Sequence, residues 1–353
     1  MGLDGIHHVT AITADARGTL DFYVRLMGLR LVKKTVNFDA PDMYHLYLGD
    51  ESGSPGSILT FFEIRGVPVG RPGPGMIHRV VWRVPSPASL DFWAERLADD
   101  GRPVERSEGS LITADPEGLA IELVVGEAAD GAPRAADAPD IPAQHALTGI
   151  VGVRAYSRAP DATERLLVEG LGFAAEGDGS FTTSGAERRG VYWLDPAPEG
   201  HGEQGAGTVH HVAWTSPDPD HADWGRRAAA AGARPTGIID RQYFHSIYFR
   251  EPGRVLFEIA TVGPGFAVDE EPERLGEELR LPPQYEPLRE RIEEVLEPIE
   301  SPRAAMRGPG GAAGRCAPRP ATTAWSAGAP WRGATWATTS STAGARSNPT
   351  WRS

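Results

Sequence analysis

At 353 residues, with 40% hydrophobic and 24% charged side chains, the chain has room for two domains with cores of their own. The formal charge of −13 is unevenly spread: residues 301–353 hold seven Arg and no Asp or Glu, which leaves −20 on the body and argues against nucleic acid as the main partner. No apolar run approaches the ~20 residues that span a bilayer, no basic-then-apolar leader is seen, and the single cysteine, Cys316, excludes a disulfide within the chain, so a cytoplasmic protein is expected.

The first segment, Gly5-Ile-His7-His8-Val-Thr10-Ala-Ile, alternates apolar with polar residues and predicts a strand. Leu20 to Leu29 follows with apolar residues three and four apart and Gly28 near its end, the pattern of a capped helix. Strands are expected over Tyr44–Leu48 and Ile58–Phe62. The same succession then recurs. Strand openings at Met76-Ile-His-Arg79, Thr148-Gly-Ile-Val-Gly152 and Thr208-Val-His210-His211 follow the first at spacings of about sixty to seventy residues. Helical patterns come after them at Leu90–Leu97, Ala162–Leu171 and His221–Ala231, and further strands close each unit. The chain is therefore expected to be α+β, with four βαβββ modules forming two domains of paired curled mixed β-sheets and helices outside.

The boundaries follow from composition. Residues 1–127 are expected to form the domain of modules one and two, and 147–265 that of modules three and four, joined by an Ala-, Pro- and Gly-rich linker at 128–146. Residues 266–300 form an extension with one charged helix at about Pro287–Ile299, packed on the outside. The segment 301–353 lacks Leu, Ile, Val and Phe and cannot bury enough apolar surface to offset its ordering entropy, so it is expected to be disordered, as a genuine arm or an out-of-frame replacement.

The repeat nominates a metal site. At the second position of the paired-histidine motif the modules carry His8, Arg79, Gly152 and His211, so only the first and last supply imidazole. Counted from the turn before the last strand, Glu258 and Glu122 are equivalent, and Glu122 belongs to the module with Arg79 and is expected to pair with an arginine. His8, His211 and Glu258 would make a triad of two imidazoles and one carboxylate, which leaves coordination positions open, as in non-haem Fe(II) oxygenases. Glu63, counted onto the same side, leaves open a four-ligand site with two carboxylates. Strand alternation turns His7 and His210 away from their neighbours and puts Thr10 on the face of His8. Phe61, Tyr243 and Phe244 are expected as pocket walls, and His78 and His245 as structural residues.

These strings, with Leu29-Arg-Leu-Val-Lys-Lys-Thr-Val-Asn-Phe-Asp39 and Tyr44-His-Leu-Tyr-Leu-Gly49, resemble the vicinal oxygen chelate superfamily over roughly residues 3–295. The resemblance is to its branch of ring-cleaving dioxygenases acting on hydroquinone-type substrates. It implies the triad His8, His211 and Glu258 holding Fe(II), with Mn(II) as the other cation, and a small aromatic diol and O2 as partners, without nucleic acid or membrane and with homo-oligomerisation open. It also implies that His7 and His210 lie near the site and that Arg241 and Tyr248 lie near the substrate oxygens. His210 is expected as the acid–base group ahead of His7, since imidazole titrates near neutrality. A glyoxalase-like isomerase or lyase and a drug-binding resistance protein are the alternatives on the same fold.

Overall fold

A computed structural model describes residues 2–126, 135–300 and 302, so the expectations for the first part of the linker and for the tail, Pro302 apart, lie outside the described residues. The first module comprises β1 (Ile6–Thr13), α1 (Ala16–Leu20), β2 (Arg30–Asn37), β3 (Ala40–Gly49) and β4 (Ile58–Glu63). The second has β5 (Met76–Val84), α2 (Pro87–Asp99), β6 (Glu105–Ser107), β7 (Ser110–Ala114) and β8 (Ala120–Val125). The third has β9 (Ile150–Ser157), α3 (Pro160–Arg165), β10 (Ala174–Ala175), β11 (Ser180–Thr182) and β12 (Val191–Pro196). The fourth has β13 (Val209–Ser216), α4 (His221–Ala230), β14 (Ile239–Asp240), β15 (Phe244–Arg250) and β16 (Leu256–Pro264), and α5 (Arg289–Val295) follows. This is the expected α+β arrangement of four βαβββ modules.

The module helices start and stop on local signals. The Asp15 side chain accepts from the Gly18 amide at the start of α1. Both α1 and α3 run on as a π-helical turn, Asp21–Leu26 and Leu166–Gly170, and each chain then reverses at a glycine of positive φ, Gly28 (75°) and Gly172 (74°).

Among the described residues sixteen strands form two eight-stranded sheets, ordered β14-β15-β16-β13-β1-β4-β3-β2 and β10-β11-β12-β9-β5-β8-β7-β6. Modules one and four share the first sheet, and modules two and three share the second, so each sheet draws strands from both sides of the linker. Each is centred on an antiparallel pair, β1 with β13 and β5 with β9. Their convex faces join one apolar core, in which Tyr192 of the second sheet meets Trp214 of the first edge-on at 6.2 Å. A separate cluster, including Val32, Tyr47, Ile58, Tyr243 and Phe244, fills the floor of the first sheet's concave side.

The extension is not merely external. Phe266 enters that floor, 5.1 Å from Tyr47 and 5.2 Å from Tyr243 between ring centres. The segment then runs along the free edge of β2. There the fully buried Lys33 ammonium pairs with Asp269 and Glu270, and Lys34 Nζ donates to the Ile299 carbonyl at 2.8 Å. An edge strand with unpaired backbone groups invites aggregation, and this strap covers it.

Candidate metal centre

Three side chains from the middle of the first sheet converge. His8 on β1 and His211 on β13 lie on neighbouring strands, and Glu258 on β16 stands beside Ala213 in the parallel pairing of β13 with β16. His8 Nε2 and His211 Nε2 are 3.3 Å apart, and Glu258 Oε2 lies 3.2 and 2.9 Å from them. Donor atoms held at about 2.0–2.2 Å from one cation stand about 3 Å apart along a shared face. All three residues are buried. The Ser246 hydroxyl donates to Glu258 Oε1 and fixes the carboxylate, while Oε2 is buried against the two imidazoles and has no hydrogen-bond partner among the described residues. A buried carboxylate oxygen left in that state is costly unless a cation meets it. Burial alone would raise the Glu258 carboxyl, but the imidazoles of His8 and then His211 outweigh it and hold it well below the usual range. Burial lowers His211, favouring the neutral ring that a ligand must be. The residues fit a divalent cation, and they form the one such grouping among the described residues.

Each ligand histidine is backed by its chain neighbour. His7 Nδ1 lies 2.9 Å from His8 Nδ1, and His210 Nδ1 lies 2.8 Å from His211 Nδ1. Strand alternation would send His7 and His210 to the opposite face, but β1 and β13 each carry a register shift there, between Ile6 and His8 and between His211 and Val209. Such a bulge re-aims a side chain. His7 as well as His8 therefore packs on Phe244, at 4.9 and 5.2 Å between ring centres. A nitrogen that binds a cation must be unprotonated. With Nε2 as ligand, the ring proton sits on Nδ1, where His7 and His210 accept it and fix tautomer and orientation. His7 and His210 are both lowered to about 3, first by burial and then by the adjacent ligand ring, so they stay neutral acceptors at neutral pH.

Around the opening of the concave side stand half-buried residues that include Phe38, His45, Phe62, His210, Arg241 and Tyr248. Tyr248 is opposite Glu258 in the β15–β16 ladder, with its ring centre 6.0 Å from that of His211. Burial and then the Glu258 charge raise its phenol, and Arg241 Nε donates to its oxygen at 3.1 Å. Thr10 accepts from the Thr60 hydroxyl at 2.9 Å, Thr60 stands 2.8 Å from His45 Nε2, and His45 Nδ1 is 2.9 Å from the Tyr47 hydroxyl. Burial, with the facing His8 and His211, keeps the His45 ring well below its usual range.

Sequence reasoning missed His45 and Thr60, and it misplaced two neighbours. In the ladder, Thr10 pairs with Thr60 as Ala213 pairs with Glu258, so Thr60 occupies the position equivalent to the ligand carboxylate. Glu63 is then on the other face, where it accepts from the Ala16 amide at 3.4 Å, and it is not a fourth ligand. For the same reason Phe61 is in the core against Tyr23, at 5.0 Å, and Phe62 takes the pocket-wall position instead. Tyr243 and Phe244 line the concave side as expected. His78 is tied to Asp195 at 2.8 Å, and His245 is exposed.

The sequence profile described as Glyoxalase/Bleomycin resistance protein/Dioxygenase superfamily matches residues 5–123. Over 304 residues the chain is 43% identical to the "Putative ring-cleaving dioxygenase MhqO" of Bacillus subtilis (strain 168), covering 84% of this chain and 96% of that protein. The chain belongs to this superfamily. Another member, the chlorohydroquinone/hydroquinone 1,2-dioxygenase of Sphingobium indicum, is 33% identical over 308 residues, 82% of this chain and 95% of its own. A solved superfamily structure, a "putative dioxygenase" from Bacillus subtilis subsp. subtilis str. 168, superposes with a TM-score of 0.78 at 42% identity, covering 85% of this chain and 98% of that one. The expected family and fold are therefore borne out, and the relatives carry the names of the expected enzyme class, "Putative ring-cleaving dioxygenase" and "Chlorohydroquinone/hydroquinone 1,2-dioxygenase". Among the described residues no helix is long and apolar enough to cross a membrane.

Proposed function

We propose that this superfamily member is an Fe(II)-dependent ring-cleaving dioxygenase that inserts O2 into a hydroquinone- or catechol-type ring, with Mn(II) as the other cation its donors would accept. The observation that carries this reading is the facial grouping of His8 Nε2, His211 Nε2 and Glu258 Oε2, in a chain 43% identical to a protein named "Putative ring-cleaving dioxygenase". Fe(II) held there would supply the one-electron chemistry that lets O2 react with an electron-rich ring. A cytoplasmic location and a small aromatic diol as partner belong to the same reading.

The chain's own residues have separable tasks. His7 and His210 accept the Nδ1 protons of the ligand histidines and hold both rings in the ligating tautomer. Of the two, His210 is half-buried and His7 buried, so His210 is the one placed to hold a proton, at Nε2, against an oxygen of a bound phenol. Tyr248, kept protonated and accepting from Arg241, has its O–H left to donate to a substrate oxygen, and Arg241 adds positive charge behind it. Thr10, tied to Thr60, sets the wall beside His8. Phe38, Phe62 and Phe244 provide aromatic surface for a planar ring.

The test is anaerobic loading with Fe(II) followed by an oxygen-electrode screen of hydroquinones and catechols. Stoichiometric O2 uptake with a ring-opened acid as product is expected. A loaded enzyme that transforms a substrate without consuming O2 would move the chain to the isomerase class.

A further inference from the structure

The guanidinium of Arg241 is divided three ways. Nε donates to the Tyr248 oxygen and Nη1 to Asp39 Oδ2, each at 3.1 Å, while Nη2 has no hydrogen-bond partner among the described residues. The two partners come from opposite sides of the curled sheet. Tyr248 is on β15, next to one edge, and Asp39 is in the turn between β2 and β3 at the other. This ion pair therefore spans the opening above the triad.

The turn does not need the Asp39 carboxylate for its own shape. The Asp39 amide donates to Asn37 Oδ1 at 2.9 Å, and the Tyr285 hydroxyl from the extension donates to the Phe38 carbonyl at 2.7 Å. The carboxylate is spare, and it is spent on Arg241.

We propose that Asp39 is a positioning residue whose carboxylate holds Arg241 across the mouth, so that Nη2 faces an oxygen of the bound aromatic diol. The proposal rests on the ring-cleaving reading of the site. A free arginine at a pocket rim samples many rotamers, and a second anchor limits that loss when the guanidinium must meet a ligand. The Asp39 side chain is 64% exposed and that of Arg241 19%, so the effect is modest and sensitive to salt.

The experiment compares wild type, Asp39→Asn and Asp39→Glu, each loaded anaerobically with Fe(II). Hydroquinone binding is measured by calorimetry at low and high salt, and kcat and KM on the oxygen electrode. Asp39→Asn should weaken binding and raise KM by about three- to fivefold, the range of an exposed ion pair, with kcat within about twofold. It should also remove most of the salt dependence of binding, while melting temperature and iron content stay unchanged. Asp39→Glu, which keeps the charge, should restore most of the affinity. Equal affinity and salt response in Asp39→Asn and wild type would overturn the proposal. So would failure of Asp39→Glu to rescue together with a lowered melting temperature, which would mark a role in the turn alone. A wild-type enzyme that binds no aromatic diol would sink the ring-cleaving reading itself and the proposal with it. Binding by wild type with an indifferent Asp39→Asn sinks only the proposal.

Discussion

The two sheets are built to one plan and do different things. Both place an antiparallel pair at the centre, and both interrupt it with register shifts at matching places, at His7 and His210 in the first sheet and at His78 and Val151 in the second. By register, Arg79 stands where His8 does, Gly152 where His211 does, and Trp193 where Glu258 does, while Glu122 matches Thr60. In the second sheet Arg79 Nη1 meets Glu122 Oε2 at 3.0 Å. A Cβ on Gly152 would lie 2.5 Å from the Trp193 ring, so the indole occupies the space that a ligand side chain takes in the first sheet. The backbone thus aims side chains inward in both halves, and residue identity alone decides which half meets a cation. The edges differ too. β2 is covered by the extension, whereas β6 is three exposed residues long, short enough to need no cover.

The largest expected effect breaks the comparison at its centre. His8→Ala, His211→Ala and Glu258→Ala should each abolish stoichiometric iron and turnover with the circular dichroism spectrum intact. Arg79→Ala and Trp193→Ala, at the matching positions, should change neither, whatever they cost in stability. Turnover lost with Trp193→Ala while iron is retained would show that the second sheet takes part in the chemistry.

Next in size is the bulge residue. His210→Ala should retain iron and lose about 10²–10⁴-fold in kcat, the usual worth of a positioned acid–base group, with His7→Ala costing less. Its counterpart Val151 should tolerate alanine with unaltered kinetics. Near-normal kcat in iron-loaded His210→Ala would remove the proton-handling role from this ring.

Much of this was legible in the sequence because a repeat fixes equivalences that a single motif cannot. The strand openings gave the α+β modules, and the four residues at the second histidine position singled out His8 and His211. What failed, failed by one residue. Counting Glu63 onto the metal's side makes Phe61, two residues before it, the match of Glu258 rather than Thr60, and a slip of one reverses every face of a strand. That single error sent Glu63 towards the metal and Phe61 into the pocket. The bulges were illegible because an extra residue breaks alternation without leaving a compositional mark. His45 looked like any strand residue, since its partners, Thr60 and Tyr47, are brought to it only by the strand pairing and pleat. The extension looked peripheral because charged residues such as Asp269 and Glu270 usually mean solvent, and the buried Lys33 that receives them lies far away in sequence.

The contrast between edges gives the third prediction. Lys33→Met takes the ammonium from two carboxylates, the buried Glu270 and Asp269, which keeps only its neutral partners Gln242 and Tyr243, and breaking such a buried pair costs about 3–5 kcal/mol. A fall in Tm on the order of 10 °C is expected in calorimetry. Arg106→Met on β6, whose partner Asp91 is 72% exposed, should stay within about 0.5 kcal/mol of wild type. Equal losses at the two positions would mean that the strap does not distinguish the edges.

The smallest effect is on pH dependence without metal. His7 and His210 sit at about 3 in the folded chain against about 6.5 unfolded. The unfolded chain therefore binds more protons between these values, and stability falls as pH drops from about 6.5 towards 3. In metal-free protein, His210→Asn should flatten part of the decline of Tm over that window, and His78→Asn should do less. A decline of Tm in His210→Asn as steep as in wild type would contradict the buried neutral ring.

The central claim is that one of two matching sheets holds the cation, through two histidines and one carboxylate on three strands, β1 of module one and β13 and β16 of module four. Anomalous diffraction at the iron edge from Fe(II)-loaded crystals tests it most directly. A single peak is expected per chain, at about 2.0–2.2 Å from His8 Nε2, His211 Nε2 and Glu258 Oε2. A peak between Arg79 and Glu122, or one whose third protein ligand is Glu63 instead of Glu258, would contradict it.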